Sequence, residues 1–138
     1  MASRRALLIV EDEADLAFLL AANFRGEGYE VRVAKNGLAG LKLARKHKPD
    51  LIISDVMMPL MNGHEMIRLL RKESAVPVLF LTAKNDESDR VRVQLDGDEY
   101  MTKPFSMNEL IRRAQAMLLR GAPRQVAKKR RAVKRIER

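Results

Sequence analysis

The stretch LIISDVMMP, residues 51–59, holds one carboxylate inside an otherwise apolar segment. Leu51 to Ser54 are apolar or nearly so without interruption, which is typical of a strand covered on both faces. Asp55 stands where such a strand would end, and an unpaired charge at that position would be costly. The segment therefore predicts a central strand whose last residue has a chemical role.

Four more short runs have strand character, and a helical pattern follows each of the five. The other runs are Ala6–Val10, Glu30–Ala34, Pro77–Thr82 and Glu99–Thr102. The helical patterns fall near residues 13–25, 37–47, 63–73, 86–96 and 106–120. This alternation predicts an α/β fold, a doubly wound parallel sheet with helices on both faces. Glu30–Ala34 alternates in polarity and predicts an edge strand, while Asn36 and Ser106–Glu109 predict helix caps.

The basic residues of the chain are unevenly distributed. The net charge is +9 over 138 residues. Residues 121–138 contribute +7 of it, whereas residues 1–120 hold 19 basic and 17 acidic side chains. We therefore expect one domain over residues 1–121 and a basic linker or tail over residues 122–138.

Composition bears on the cellular compartment of the protein and on contact with a membrane. There is no Cys, which excludes disulfides and thiolate metal sites and is compatible with the cytoplasm. No apolar run approaches the ~20 residues that a membrane span needs. The basic start, Met1 to Arg5, is not read as a signal peptide because the apolar run after it is short and acidic residues follow at once. We expect a cytoplasmic protein without a membrane contact.

Chemically active residues stand at the ends of the predicted strands. Because the carboxyl ends of parallel strands meet at one edge of the sheet, these side chains should converge there. They are Glu11 and Asp12 after the first strand, Asp55 at the end of the third, Thr82 at the end of the fourth and Lys103 after the fifth.

This set suits phosphoryl transfer. Crowded carboxylates repel unless a cation is present, and Mg²⁺ takes few protein carboxylates while leaving room for phosphate oxygens. Asp55 on the central strand is the best nucleophile, since a carboxylate can form an aspartyl phosphate. Lys103 would neutralise one phosphoryl oxygen, and Thr82 would donate a hydrogen bond to another.

Each residue also has a structural alternative. Asp12 could be a helix N-cap, Thr82 an ordinary strand residue and Lys103 a solvated surface lysine. Their common location at the strand ends favours the functional interpretation.

Four motifs together resemble the receiver domain of two-component response regulators, over about residues 5–120. They are LIVEDE at 8–13, DLIISDVMMP at 50–59 with Asn62-Gly63, PVLFLTA at 77–83 and YMTKPF at 100–105. The resemblance implies a flavodoxin-like (βα)5 sheet with strand order 2-1-3-4-5. The charged residues around the fifth strand also resemble the dimer face of the winged-helix, OmpR-type transcription regulators.

The resemblance also implies roles for individual residues. Asp55 would be the phosphoacceptor and a Mg²⁺ ligand, together with Asp12 directly and Glu11 partly through water. The backbone carbonyl of Met57 would be a further ligand. Tyr100 would be a switch aromatic that turns inward as Thr82 closes on the phosphoryl group. The Lys103–Pro104 bond would be cis. One departure from the family pattern is the glycine at position 97, which stands one place from its usual position. The resemblance therefore does not predict the conformation of the loop before the fifth strand.

By the same resemblance, a sensor histidine kinase would phosphorylate Asp55, and the face formed by the fourth helix, fifth strand and fifth helix (α4-β5-α5) would be the readout. That face could form a homodimer, with Asp98 and Arg113 at positions that often pair across the interface, or be only a solvated surface. Its charged residues are Arg90, Arg92, Asp98, Glu99, Arg113 and Arg120.

The sequence does not decide which function the domain controls. The basic tail is interpreted as a linker to an absent effector domain, with a DNA-phosphate-binding arm and a solvated tail as alternatives. A single-domain regulator that docks on a partner protein is the competing signalling function. A phosphatase with an aspartyl nucleophile is disfavoured, because Met57 stands where such enzymes place a second Asp.

Overall fold

The computed structural model describes residues 4–83 and 98–120 and contains a five-stranded sheet with helices. The strands are β1 (Ala6–Val10), β2 (Glu30–Ala34), β3 (Leu51–Asp55), β4 (Val78–Thr82) and β5 (Glu99–Thr102). The helices within the described residues are α1 (Ala14–Gly26), α2 (Gly37–His47), α3 (Gly63–Leu70) and a final helix at residues 107–120. The predicted helix at 86–96, the loop around Gly97 and the tail at 122–138 lie outside the described residues.

All strand pairs are parallel, and the strand order is 2-1-3-4-5. This confirms the flavodoxin-like fold and places β2 at an edge, as its alternating pattern predicted. β3 lies in the middle of the sheet and is buried along its whole length. Its position carries Asp55 to the centre of the carboxyl edge.

Apolar side chains pack against both faces of the sheet. On one face, residues of α1 and the final helix, such as Phe24 and Leu110, cover β1, β3 and β4. On the other, residues of α2 and α3, such as Leu41 and Met66, belong to one buried cluster with strand residues such as Phe80. Within the described ranges, no helix combines the length and apolarity needed to cross a membrane.

Two boundaries differ from the predicted ones. The helix of α3 ends at Leu70 rather than near residue 73, and the chain continues as turns in which the amide of Glu73 donates to the carbonyl of Leu70 (2.9 Å). β4 begins at Val78 rather than Pro77, and Pro77 has no amide to donate, although its carbonyl accepts from the amide of Ile52 (3.0 Å).

Helix caps agree with the sequence patterns, and one was missed. The side chain of Asn36 accepts from the amide of Ala39 (2.8 Å), and the hydroxyl of Ser106 accepts from the amide of Glu109 (3.0 Å). Asn62 and Glu65 form a full capping box at the start of α3. Its pattern, an Asn followed three residues later by Glu, was present in the sequence.

Candidate functional site

Three carboxylates meet at the carboxyl edge of the sheet. Glu11 and Asp12 follow β1, Asp55 ends β3, and the two strands are neighbours with Val10 opposite Ser54. One oxygen of each carboxylate lies within 4.8 Å of the others. Asp12 is exposed, whereas Glu11 is 2% and Asp55 9% exposed. The cluster is therefore a half-buried acidic site that opens to solvent on the side of Asp12.

Lys103 partly compensates this negative charge. Its ammonium nitrogen lies 3.3 Å from Oδ2 of Asp55 and 3.8 Å from Oε1 of Glu11. Burial, followed by the charge of Asp55, raises the pKa of Glu11 to about 7. Burial also raises the pKa of Asp55, against the opposing attraction of Lys103. One ammonium is thus too little to stabilise all three ionised carboxylates, and a further cation would be favoured.

The oxygen atoms of the cluster fit a hard divalent cation. Oε1 of Glu11 is buried and has no hydrogen-bond partner among the residues that the structure describes. A set of carboxylate oxygens that is open on one side suits Mg²⁺, which keeps several waters. The alternative role for Asp12 is not supported, because Glu13 is the N-cap of α1.

Backbone hydrogen bonds between neighbouring strands place Thr82 and Lys103 near Asp55. The amide of Val56 donates to the carbonyl of Leu81 (3.2 Å), and the amide of Lys103 donates to the carbonyl of Thr82 (2.8 Å). Thr82 is buried at the end of β4, and its hydroxyl donates to the carbonyl of Ala83 at 3.4 Å. The Lys103–Pro104 bond is cis, as predicted. The structure thus brings the predicted hydroxyl and ammonium to the same edge as the carboxylates.

The loop from β3 to α3 shapes the acidic edge. The amide of Met61 donates to the carbonyl of Pro59 (2.8 Å), and Leu60 between them has a φ of 72°, which makes a strained γ-turn. Gly63 donates to the carbonyl of Val56 (2.8 Å), and a Cβ there would lie 2.4 Å from the carbonyl oxygen of Asp55. Only glycine allows this close approach. Met57 lies in the same loop with an exposed side chain, and its carbonyl as a ligand remains a prediction.

Comparison with known proteins identifies the fold and the motifs. Residues 7–115 match the response regulator receiver domain. The chain belongs to this family. The receiver domain is 42% identical over 119 residues to the DNA-binding response regulator MtrA of Mycolicibacterium paratuberculosis, covering 86% of the chain and 53% of MtrA. It is 43% identical over 119 residues to PhoP of Bacillus subtilis, the alkaline phosphatase synthesis transcriptional regulatory protein, covering 85% and 50%.

Solved structures agree with this assignment. The receiver domain of the Francisella response regulator 1452 has a TM-score of 0.79 at 30% identity, covering 85% of this chain and 98% of that one. The chemotaxis response regulator CheY4 of Vibrio cholerae has a TM-score of 0.76 at 30% identity, covering 83% and 98%. By contrast, the chain spans about half the length of the curated relatives it matches.

Tyr100 of the receiver domain points inward. It is 8% exposed, and its ring centroid lies 5.3 Å from that of Phe80. Its hydroxyl lies 2.5 Å from Nε2 of His64, the second residue of α3. The family resemblance implied a role for Tyr100 but none for His64, and no local signal connects residues 36 positions apart.

The charged residues near β5 are paired within the protomer. Arg113 contacts Glu99 at 3.3 Å, and Arg120 also pairs with Glu99. The prediction that Asp98 belongs to the charged surface is wrong: it is 4% exposed and lies 2.6 Å from the guanidinium of Arg71. Asp98 stands before β5, and its carboxylate also accepts from the amide of Val78 (3.2 Å), so the side chain lies against the start of β4. Arg90 and Arg92 of the predicted dimer face lie outside the described residues.

Proposed function

We propose that this receiver domain accepts a phosphoryl group on Asp55 from the phosphohistidine of a sensor histidine kinase. The observation that carries the proposal is the pairing of Lys103 with Asp55 at 3.3 Å, beside the oxygens of Glu11 and Asp12. A nucleophile, a cation for the transferred charge and a set of oxygen ligands stand together at one edge. These are the parts that phosphoryl transfer needs.

The residues divide the chemistry between them. An oxygen of Asp55 attacks phosphorus while the phosphorus–nitrogen bond breaks, and the electron pair of that bond stays on the leaving imidazole. Lys103, already beside Asp55, would follow the negative charge onto a phosphoryl oxygen. The hydroxyl of Thr82 would turn from the carbonyl of Ala83 to donate to a second oxygen.

Glu11, Asp12 and Asp55 would hold Mg²⁺, with the carbonyl of Met57 as a further ligand. When bound, the ion neutralises the acidic cluster and the charge on the phosphoryl oxygens. The raised pKa values of Glu11 and Asp55 support this assignment, as does Oε1 of Glu11, which accepts no hydrogen bond from the described residues.

The output is proposed from the relatives. MtrA and PhoP are named as DNA-binding and transcriptional regulators, and this chain spans about half of each. We infer that phosphorylation of Asp55 changes the surface around β5 and so controls a homodimer and a DNA-binding function. Glu99, Arg113 and Arg120 would be the exchangeable charges, because ion pairs at a partly exposed surface are weak and can be rearranged.

Incubation with acetyl phosphate and Mg²⁺, followed by intact-mass measurement, tests the proposal. The chain should gain one phosphoryl group, and Asp55→Asn should gain none. Asp50→Asn is the matched control, since Asp50 stands just before β3, at the end of the strand away from Asp55, and accepts from the amide of Ala6 (2.8 Å). It should be labelled like the parent. Equal labelling of Asp55→Asn would refute the assignment.

A further inference from the structure

His64 links the start of α3 to the buried ring of Tyr100. Nε2 of His64 lies 2.5 Å from the phenol oxygen of Tyr100. The imidazole also meets Phe80 edge-on, with ring centroids 5.0 Å apart. Phe80 lies between Ser54 and Tyr100 in the register of β3, β4 and β5. The three aromatic rings thus form one cluster on the α3 face of the sheet. Ser54, which is opposite Phe80, directly precedes Asp55.

The backbone fixes His64 relative to Asp55. Gly63 donates to the carbonyl of Val56, and the capping box of Asn62 and Glu65 encloses His64 in the first turn of α3. A buried phenol needs a hydrogen-bond partner, and leaving it without one is costly. The segment that follows the phosphoacceptor therefore supplies a partner that favours the inward orientation of Tyr100.

We infer that His64 is a positioning residue that holds Tyr100 inward before any phosphoryl group is present. This inference rests on the proposed function and on the family resemblance, which implies that Tyr100 turns inward in the phosphorylated state. A hydrogen bond that favours that orientation in advance raises the population of the competent state. A phosphoryl group or its mimic then binds more tightly than it would to a chain without the imidazole.

Tyrosine fluorescence can report the exposure of Tyr100, because the chain has two Tyr and no Trp. In a Tyr29→Phe background, Tyr100 is the single emitter, and acrylamide quenching measures its exposure. His64→Phe keeps a ring against Phe80 but removes the hydrogen bond. His64→Gln keeps a polar group near the position of Nε2. We expect the quenching constant to rise roughly two- to fivefold in His64→Phe and to stay near the parent value in His64→Gln, because only the first removes the hydrogen-bonding group that residue 64 offers to the phenol.

Two results would overturn the inference. An unchanged quenching constant in His64→Phe would mean that the hydrogen bond from His64 does not hold Tyr100 inward. An equal rise in both variants would mean that the shape of the imidazole matters and its hydrogen bond does not. Urea unfolding of each variant verifies that the comparison is made on folded protein.

Beryllofluoride with Mg²⁺, a mimic of the phosphoryl group, tests the consequence for the site. We expect its apparent affinity to fall roughly three- to tenfold in His64→Phe and to recover in His64→Gln. Equal affinity in all three chains would refute the preorganising role. If the parent binds no mimic and accepts no phosphoryl group, the proposed function fails, while the quenching comparison still decides the position of Tyr100.

Discussion

Lys103 reaches across β4 to place its ammonium nitrogen 3.3 Å from Oδ2 of Asp55. The contact joins β3 to the end of β5, two strands that do not pair with each other. The lysine thus stabilises the ionised carboxylate of Asp55, and in the proposed reaction it stands where transferred charge would develop.

Replacing Lys103 should separate these two effects. In Lys103→Met the stem is kept and the charge is lost, so the acidic cluster should bind Mg²⁺ more tightly because a competing cation is gone. The rate of labelling by acetyl phosphate should fall roughly 10- to 100-fold, since the charge on the phosphoryl oxygens loses a counter-ion. Calorimetric titration and intact-mass time courses measure the two. Loss of both Mg²⁺ binding and labelling would instead indicate that the variant disturbs the site as a whole.

The stability of the metal-free protein should depend on pH through Glu11. Burial and the charge of Asp55 raise the pKa of Glu11 from 4.5 to about 7. The folded state therefore binds this proton more tightly than the unfolded state. The resulting stabilisation is complete below pH ~4.5 and is lost as the pH rises through about 7.

We expect the free energy of unfolding in EDTA to fall by about 2 kcal/mol between roughly pH 5 and 8. Urea denaturation at each pH measures it. Glu11→Gln should remove most of this slope, and Mg²⁺ should restore stability at the upper pH by favouring the ionised carboxylates. An unchanged slope in Glu11→Gln would assign the effect to other groups.

Gly63→Ala should be strongly destabilising. The added Cβ would lie 2.4 Å from the carbonyl oxygen of Asp55, so α3 or the end of β3 must move. We expect a loss of roughly 2 to 4 kcal/mol in urea unfolding. Gly26→Ala at the end of α1 is the matched control, because nothing lies within 4 Å of its Cβ. A comparable loss in both variants would contradict the steric explanation.

Arg71→Met should also destabilise the fold. Its guanidinium lies 2.6 Å from the buried carboxylate of Asp98, and the substitution removes this cation from the carboxylate. Removing one partner of a buried pair costs roughly 3 kcal/mol. Arg45 pairs with Glu73 at 2.9 Å between exposed side chains, so Arg45→Met should cost less than about 1 kcal/mol. Similar losses in the two variants would show that the burial of Asp98 has no energetic weight.

Much of the architecture was accessible from local patterns. The apolar run of β3, the alternation of β2 and the cap at Asn36 depend on neighbours along the chain, and each prediction agrees with the structure. Predicted ends were less accurate. α3 stops at Leu70 because the chain turns there, and hydrophobic spacing alone does not distinguish a last helical turn from a tight turn.

The sequence by itself determined the order of the described strands and helices and the residues that stand at the strand ends, because both follow from hydrophobic period and parallel topology. Only the tertiary structure decided which partner each of these residues takes. Asp98 meets Arg71 rather than the surface, Tyr100 meets His64, and Lys103 meets Asp55. Each contact joins residues 27 to 48 positions apart, so it depends on how helices and strands pack and has no signature in the local sequence.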